Sequence, residues 1–154
     1  MPIYNLSELF LTKVNFIFEH LPDNRLSKKE FKGKVKMALR IIEESENMNL
    51  ESVNLRITDD ESVREFNKSY LNHDYYTDVI TFDYNDGTAD VMISSVTVLK
   101  NAENYSVSFS NELLRVVIHS FLHLAGYDDI SLAKQKIMKL KEDHYLKVVE
   151  TITF

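Results

Sequence analysis

The sequence predicts an α+β fold, a mixed α/β sandwich in which a small mixed four-stranded sheet packs against about five helices. Three observations predict this fold class. Residues 13–19 and 51–58 alternate apolar and polar side chains, which is typical of half-buried strands. Longer segments with helical spacing of apolar residues lie between and after the strand segments. One of them, at about residues 111–125, is apolar on nearly every side, as expected of a buried helix.

The predicted elements alternate along most of the chain. Strands are predicted at residues 13–19, 51–58, 78–84 and 90–94. Helices are predicted at about residues 27–46, 59–70, 95–105, 111–125 and 132–149. We find no repeat, linker or low-complexity tract, so a single domain spanning residues 1–154 is expected.

Turn-forming and capping residues separate these elements. Pro22, Asp23 and Asn24 predict a turn after the first strand. Ser27 can cap the helix that follows, because a serine hydroxyl accepts a hydrogen bond from an N–H group of the first helical turn. The run Asn85-Asp86-Gly87 predicts a hairpin-type turn between the third and fourth strands.

The composition excludes several classes of protein. The chain has 154 residues, of which 44% are hydrophobic, so it can bury a substantial core. It has no cysteine, which excludes disulfides and thiolate metal ligands and fits a cytoplasmic location. We expect no secretory signal at the N-terminus and no membrane span, since no apolar stretch approaches the ~20 residues that cross a bilayer.

The charge distribution is uneven. A net charge of −6 argues against a protein that coats nucleic acid without specificity. The early segment at residues 28–40 is nevertheless basic, and such a local patch is compatible with RNA contact. A solvated helix face explains the same residues equally well. The basic residues of this segment are Lys28, Lys29, Lys32, Lys34, Lys36 and Arg40.

A candidate metal site lies on the buried helix and just beyond it. His119 and His123 are four residues apart, so both side chains leave one helical face with Cβ atoms about 5–6 Å apart. Gly126 predicts the end of the helix, because glycine accepts the left-handed conformation. The chain can then turn back and bring Asp129 to the same ion. The pattern His-x-x-x-His-x-x-Gly-x-x-Asp therefore predicts three metal ligands.

The helix that carries the histidines supports this interpretation. Its polar residues recur at steps of three and four and form one narrow stripe on an apolar helix. Unpaired buried charge is unfavourable, so such a stripe needs partners. Satisfied core histidines would explain a lone histidine, but the pair with Gly126 and Asp129 in register favours a metal. The stripe consists of Glu112, Arg115, His119 and His123.

Ser120 distinguishes this pattern from that of the zinc peptidases. In those enzymes a glutamate follows the first histidine and acts as general base. Serine cannot take up a proton at neutral pH, so the scaffold for the metal is present while the peptidase base is missing. Proteolysis is correspondingly disfavoured.

Four stretches of the chain together resemble the YbeY family of bacterial metal-dependent endoribonucleases. They are residues 75–82 (YYTDVITF), 90–94 (DVMIS), 101–105 (NAENY) and 119–129 (HSFLHLAGYDD). The resemblance implies an enzyme that acts in ribosomal RNA maturation, at the 3′ end of the small-subunit RNA, and in ribosome quality control. It implies single-stranded RNA as substrate, the ribosome or ribosomal proteins as partners, and one Zn²⁺ per chain held by His119, His123 and Asp129.

Three positions depart from the family pattern. Asp129 stands where the family usually has histidine, but two histidines and a carboxylate are a known catalytic ligand set. Ser120 replaces the usual glycine. Leu71 stands where the family commonly has an arginine, and cleavage of a phosphodiester needs positive charge where the oxyanion develops. His73 or Arg115 could supply that charge instead.

From these observations we expect a zinc-dependent endoribonuclease that acts on single strands. A zinc metalloprotease-like hydrolase and a non-catalytic, ribosome-associated metal-binding module are the alternatives, and Leu71 favours the second. Arg115 is the candidate for a phosphate contact, or it forms a structural ion pair with Glu112 or Asp78.

Two aspartates near the proposed ligands have other predicted roles. Asp128 is expected to act in the turn or behind the ligands rather than as a ligand. Asp78 either orients a ligand histidine or caps a strand.

Overall fold

The structure is a computed structural model that describes residues 11–23 and 25–152. Asn24 of the predicted turn lies outside the described residues, as do residues 1–10, on which the expectation about a secretory signal depends. The strands are β1 (Lys13–Phe18), β2 (Ser52–Thr58), β3 (Val79–Asp83) and β4 (Thr88–Ser94). The helices are α1 (Lys28–Glu46), α2 (Asp60–Leu71), α3 (Ser95–Tyr105), α4 (Phe109–Leu124) and α5 (Leu132–Glu150).

The α+β fold class is confirmed, and each predicted element is found within a few residues of its expected bounds. Ser27 caps α1 as expected, since its side chain accepts a hydrogen bond from the Glu30 N–H. The largest difference at the start of a helix concerns α4, which begins at Phe109 rather than near residue 111. Ser108 explains it, because its hydroxyl accepts a bond from the Asn111 N–H and caps the helix earlier.

The strands form one mixed sheet in the order β1-β2-β4-β3. β1, β2 and β4 run parallel, whereas β3 is antiparallel to β4. The hairpin-type turn between β3 and β4 is confirmed. Asn85 and Gly87 take left-handed φ values of 59° and 91° there, and the Asp86 carboxylate accepts a bond from the Thr88 N–H at 2.9 Å.

The main core lies on the face of the sheet where α1, α4 and α5 pack together. α4 is central, because it contacts α1, α3, α5 and β3. This position explains why its apolar residues surround the helix rather than forming a single face. Its fully or nearly fully buried side chains include Leu113, Leu114, Val117, Ile118, Phe121 and Leu122.

α2 covers part of the opposite face of the sheet. Met92 packs with it, whereas its strand neighbours Val91 and Ile93 point into the main core, since successive strand residues face opposite sides. The buried residues under α2 are Val63, Ile80 and Met92, with Phe66 and Leu71 packed against them. In the described part of the chain, no helix combines the length and apolar character needed to span a bilayer.

Candidate metal centre

His119, His123 and Asp129 come together where α4 ends. The two Nε2 atoms of His119 and His123 are 2.9 Å apart. The Asp129 carboxylate lies 3.6 Å from Nε2 of His119 and 4.0 Å from Nε2 of His123. One ligand atom from each residue lies within 4.8 Å of the others, so this group could hold a metal ion.

A glycine turn brings Asp129 back to the two histidines. Gly126 has a φ of 105°, in the region where a side chain would be strained. The N–H groups of Gly126 and Tyr127 bond to the carbonyls of His123 and Leu122, each at 3.0 Å. These two bonds form a Schellman motif, which ends α4 and reverses the chain direction. The predicted helix stop at Gly126 is therefore confirmed.

The two imidazoles are held by hydrogen bonds on the side that faces away from the cluster. His123 Nδ1 lies 2.8 Å from the Tyr127 carbonyl oxygen, and His119 Nδ1 lies 2.7 Å from Glu142 Oε2. A carbonyl or carboxylate oxygen only accepts, so in each neutral ring the proton is on Nδ1 and the lone pair is on Nε2. The two Nε2 lone pairs lie 2.9 Å apart, and a cation bound to both nitrogens would offset their repulsion. The donor set therefore fits a divalent metal.

Glu142 is the functional candidate that the sequence did not reveal. It lies on α5 and contacts both His119 and Arg115, with its side chain only 12% exposed. The one available signal was weak: Glu142 and Asp143 are adjacent acids in a helix rich in lysine. Their partners could be named only after α5 had been placed against the polar stripe of α4.

Arg115 forms ion pairs with α5. Its guanidinium lies 2.7 Å from the Asp143 carboxylate and 3.4 Å from that of Glu142. The structure thus shows an ion pair of Arg115 with Asp143 and Glu142 in place of the expected partners, Glu112 or Asp78. Because α5 packs against this part of α4, the carboxylates of α5 lie next to the Arg115 guanidinium. The predicted contact between Arg115 and a phosphate stays a prediction.

Charges around the cluster shift the pKa values of several groups. Burial lowers the pKa of His119. The hydrogen bond to Glu142 and the charges of Asp129 and Asp78 raise this pKa by more than burial lowers it, so the net shift is upward. Burial also raises the pKa of Asp78 and of Glu112. The cluster is therefore an acidic, partly desolvated site that attracts a cation.

Asp78 lines one hollow together with the three proposed ligands, and no hydrogen bond joins its side chain to either histidine. Its main-chain carbonyl accepts the Ser94 N–H at 2.8 Å, at the start of β3. Glu142 and the Tyr127 carbonyl accept the bonds from the two Nδ1 atoms, so they have the orienting role that the sequence predicts for Asp78 as one of two alternatives.

Asp128 and Ser120 both point away from the cluster. The Asp128 carboxylate accepts bonds from the Ile130 N–H at 3.1 Å and from Lys134 Nζ at 2.8 Å, so it stabilises the turn before α5. Ser120 is fully buried, and its hydroxyl donates to the Val117 carbonyl at 2.7 Å. The chain therefore has no carboxylate at the position where the zinc peptidases have their general base.

Two hollows flank the cluster, and His119 and Asp129 line both of them. The first has a volume of about 520 Å³, and the second has a volume of about 690 Å³. Tyr75, Thr77, Asp78 and Thr81 contribute to the first. Tyr105, Arg115, Lys139 and Glu142 contribute to the second. The cluster thus lies where the two hollows meet, and we call the two hollows together the groove.

The other positions that bear on the expected positive charge lie outside this groove. Leu71 and His73 line neither hollow. In the basic segment, Lys34 pairs with Glu30 and Glu150, and Lys28 lies over the ring of Phe18 at 5.1 Å. The segment is therefore partly neutralised by contacts within the protein, and its predicted contact with RNA stays a prediction.

Comparison with known proteins shows which family this chain resembles. The family model described as Endoribonuclease YbeY matches residues 17–150. The chain is 41% identical over 116 residues to the "Endoribonuclease YbeY" of Chloroherpeton thalassium, covering 73% of this chain and 82% of that protein. It is 45% identical over 107 residues to the protein of the same name from Flavobacterium psychrophilum, covering 68% and 76%.

A third relative and a solved structure complete the comparison. The "Endoribonuclease YbeY" of Chlorobaculum tepidum is 49% identical over 87 residues, which are 54% of this chain and 64% of that protein. The solution structure of TM1509 from Thermotoga maritima matches with a TM-score of 0.62 and 28% identity over 88% of each chain. Since the family model spans most of the chain and the relatives agree, this chain belongs to the endoribonuclease YbeY family.

Proposed function

We propose that this protein is a zinc-dependent endoribonuclease that cleaves single-stranded RNA. We further propose that its substrate is ribosomal RNA, in maturation of the small-subunit 3′ end and in ribosome quality control, with ribosomal proteins as partners in the cytoplasm. The family supports the activity, and the absence of cysteine fits a reducing compartment. We also propose that the chain works as one domain.

The arrangement of the two histidines carries this proposal. Their Nε2 atoms lie 2.9 Å apart, with Asp129 beside them, where the two hollows meet. A structural zinc site is usually closed by four protein ligands, whereas a catalytic site keeps a position for the reacting group. Three protein ligands on an open groove fit the catalytic type.

Different residues of the chain would bind the metal ion and orient its ligands. A bound divalent ion would polarise the scissile phosphodiester and activate the attacking group. His119, His123 and Asp129 would hold that ion. Glu142 and the Tyr127 carbonyl fix the ring orientations.

Asp78 and Arg115 would act on the substrate from opposite sides of the ion. The Asp78 carboxyl lines the first hollow, and burial raises its pKa. Arg115 lines the second hollow. Its guanidinium is charged, and its remaining N–H groups are our candidate donors to a phosphate.

The metalloprotease alternative is less well supported by the geometry. Enzymes with this histidine spacing use a glutamate at the position of Ser120, which is buried here and bonded to Val117. One observation favours the non-catalytic module. Leu71, at the end of α2, packs against the buried Val63, Ile80 and Met92 and supplies no positive charge for catalysis.

A cleavage assay separates the three functions. Purified protein with metal would be incubated with a single-stranded ribosomal RNA fragment, with the same sequence as a duplex, and with casein. Our proposal expects cleavage of the single strand above the duplex and no loss of casein, since a duplex is too rigid to follow the groove. Equal cleavage of both RNAs or proteolysis would contradict it. Intact RNA in every arm would favour the module.

A further inference from the structure

We propose that Tyr75 is a stacking platform for one nucleobase of the single-stranded substrate, on the nucleotide next to the cleaved phosphate. This inference rests on the proposed function and adds a binding subsite to it. The Tyr75 side chain is 54% exposed and lines the first hollow together with His119 and Asp129. A base on this ring would therefore lie beside the metal ligands.

The ring of Tyr75 is supported on one face by His73. The two ring centroids are 5.3 Å apart, and their planes are inclined by 21°. The Tyr75 hydroxyl also lies 3.2 Å from His73 Nδ1. One face is thus covered by the imidazole, while the exposed part of the ring is available to a flat partner. Aromatic rings of this kind bind bases with little dependence on sequence.

The loop that carries Tyr75 is anchored to α2. Asn67 is buried, at 2% exposed, and its side-chain amide donates to the Tyr75 carbonyl at 3.2 Å. The His73 N–H donates to the Asn67 carbonyl, also at 3.2 Å. Arg64 pairs with Asp74 at 2.9 Å. These bonds hold the loop in place before RNA arrives, which lowers the entropy lost on binding.

The first hollow is acidic, so we expect stacking to contribute more than ion pairs to RNA binding there. Asp78, Asp83 and Asp129 line it, and among the described residues that line it there is neither a lysine nor an arginine. No lysine or arginine side chain of this lining is therefore available to pair with phosphates beyond the one at the proposed metal. Stacking does not depend on charge, so its contribution should persist as salt rises, unlike that of phosphate contacts.

Tyr70 provides a matched control within the same chain. Its ring is 68% exposed and stacks on Phe66, with centroids 4.4 Å apart and planes inclined by 25°. It is therefore another exposed tyrosine supported by an aromatic ring. Tyr70 lines neither hollow, so a strand that follows the groove should not contact it.

The absence of tryptophan from the chain allows a direct binding readout. Tyr75→Trp and Tyr70→Trp variants would each have a single indole, whose fluorescence is quenched when a base stacks on it. Each zinc-loaded variant would be titrated with a single-stranded oligoribonucleotide and with an abasic oligomer of the same length. We expect quenching of Tyr75→Trp by the oligoribonucleotide, little by the abasic oligomer, and none for Tyr70→Trp. Equal quenching of both variants would overturn the platform.

Affinity measurements on truncated variants complete the test. Tyr75→Ala should weaken binding by roughly tenfold or more, by the same factor at low and high salt, whereas Tyr75→Phe should bind normally. Tyr70→Ala should also bind normally. If the wild-type protein cleaves RNA but Tyr75→Ala binds as well as the wild type, the platform is wrong and the function stands. If the wild type neither binds nor cleaves RNA, both proposals fail.

Discussion

His119 Nδ1 lies 2.7 Å from the Glu142 carboxylate, which reaches it from a helix 23 residues further along the chain. This contact links the packing of α5 on α4 to the orientation of a proposed metal ligand. Histidines that bind metals usually donate their second ring N–H to such an acceptor, which fixes the ring and increases its basicity. The same carboxylate lies 3.4 Å from the Arg115 guanidinium, which helps to hold it in place.

The first prediction concerns Glu142. Glu142→Ala should lower zinc affinity by roughly 10–100-fold, because the His119 ring would lose its orienting acceptor. Competition with a chromogenic chelator measures this affinity. Asp143→Asn is the matched control, since Asp143 also pairs with Arg115 but does not contact either histidine. If both variants bound zinc equally, the orienting role of Glu142 would be wrong.

The second prediction separates the two adjacent aspartates. Asp129→Ala should reduce the bound metal strongly, because it removes one of three ligands. Asp128→Ala should affect metal content little, since Asp128 bonds to Ile130 and Lys134 instead. Asp129→His should retain metal, because histidine is an equivalent zinc ligand. Elemental analysis of the three variants checks these results, and the reverse order for the two alanine variants would refute our ligand assignment.

The order of the strands and helices could be predicted from local patterns. The alternation in β1 and β2, the caps at Ser27 and Gly126, and the turn at Asn85 each depend on residues that are close in sequence. The start of α4 was placed two residues late, since Ser108 offered a cap that the apolar pattern did not reveal. Sheet order and the side of the sheet on which α2 lies depend on long-range packing, so they came only from the structure.

The same distinction applies to the site. His119, His123 and Asp129 are within eleven residues of one another, and their spacing sufficed to group them. Glu142 and Tyr75 approach the group from other elements, and no local pattern indicates which helix faces α4 or where the α2–β3 loop lies. Contacts between distant segments are what a single sequence does not specify.

The third prediction concerns Glu46 and pH. Its carboxylate accepts bonds from Tyr127 at 2.6 Å, Lys141 at 2.8 Å and Tyr145 at 2.5 Å, and so joins α1, the turn after α4 and α5. Burial raises the pKa of Glu46, but these three donors outweigh it and lower the pKa to about 2. A lowered pKa means that the folded state favours the ionised carboxylate. The resulting stability is complete above the ordinary value of 4.5 and is lost as the pH falls towards 2.

Glu46→Gln tests this contribution. At pH 7 the variant should have a free energy of unfolding lower by roughly 1.5–3 kcal/mol, which is typical of hydrogen bonds to a charged group. The difference from wild type should shrink between pH 4.5 and pH 2, as Glu46 becomes protonated in the wild type. Urea unfolding across this pH range measures both values. Glu44→Gln is the control, because Glu44 is mostly exposed and pairs only with Arg40 among the ion pairs of the described residues. A difference that is constant with pH would contradict this account.

The fourth prediction concerns Leu71. Leu71→Arg should raise the rate of RNA cleavage, because an arginine side chain is long enough to bring a cation towards the first hollow, which Leu71 itself does not line. Leu71 is only partly buried at the edge of the small core of Val63, Ile80 and Met92, so the fold should tolerate the change. Leu71→Met is the control without charge and should cleave at the wild-type rate. An arginine variant that is folded, binds RNA and is no faster would show that this charge does not limit the reaction.

The most direct measurement of the central claim follows RNA cleavage as metal is removed and returned. Zinc would be stripped with a chelator, folding checked by circular dichroism, and cleavage of a single-stranded ribosomal RNA fragment measured before and after zinc is restored. We predict that the stripped protein stays folded and inactive, that zinc at one equivalent per chain restores cleavage, and that a His119→Ala, His123→Ala double variant cannot be restored. Cleavage at the wild-type rate by the folded, metal-free protein or by the double variant would contradict the account.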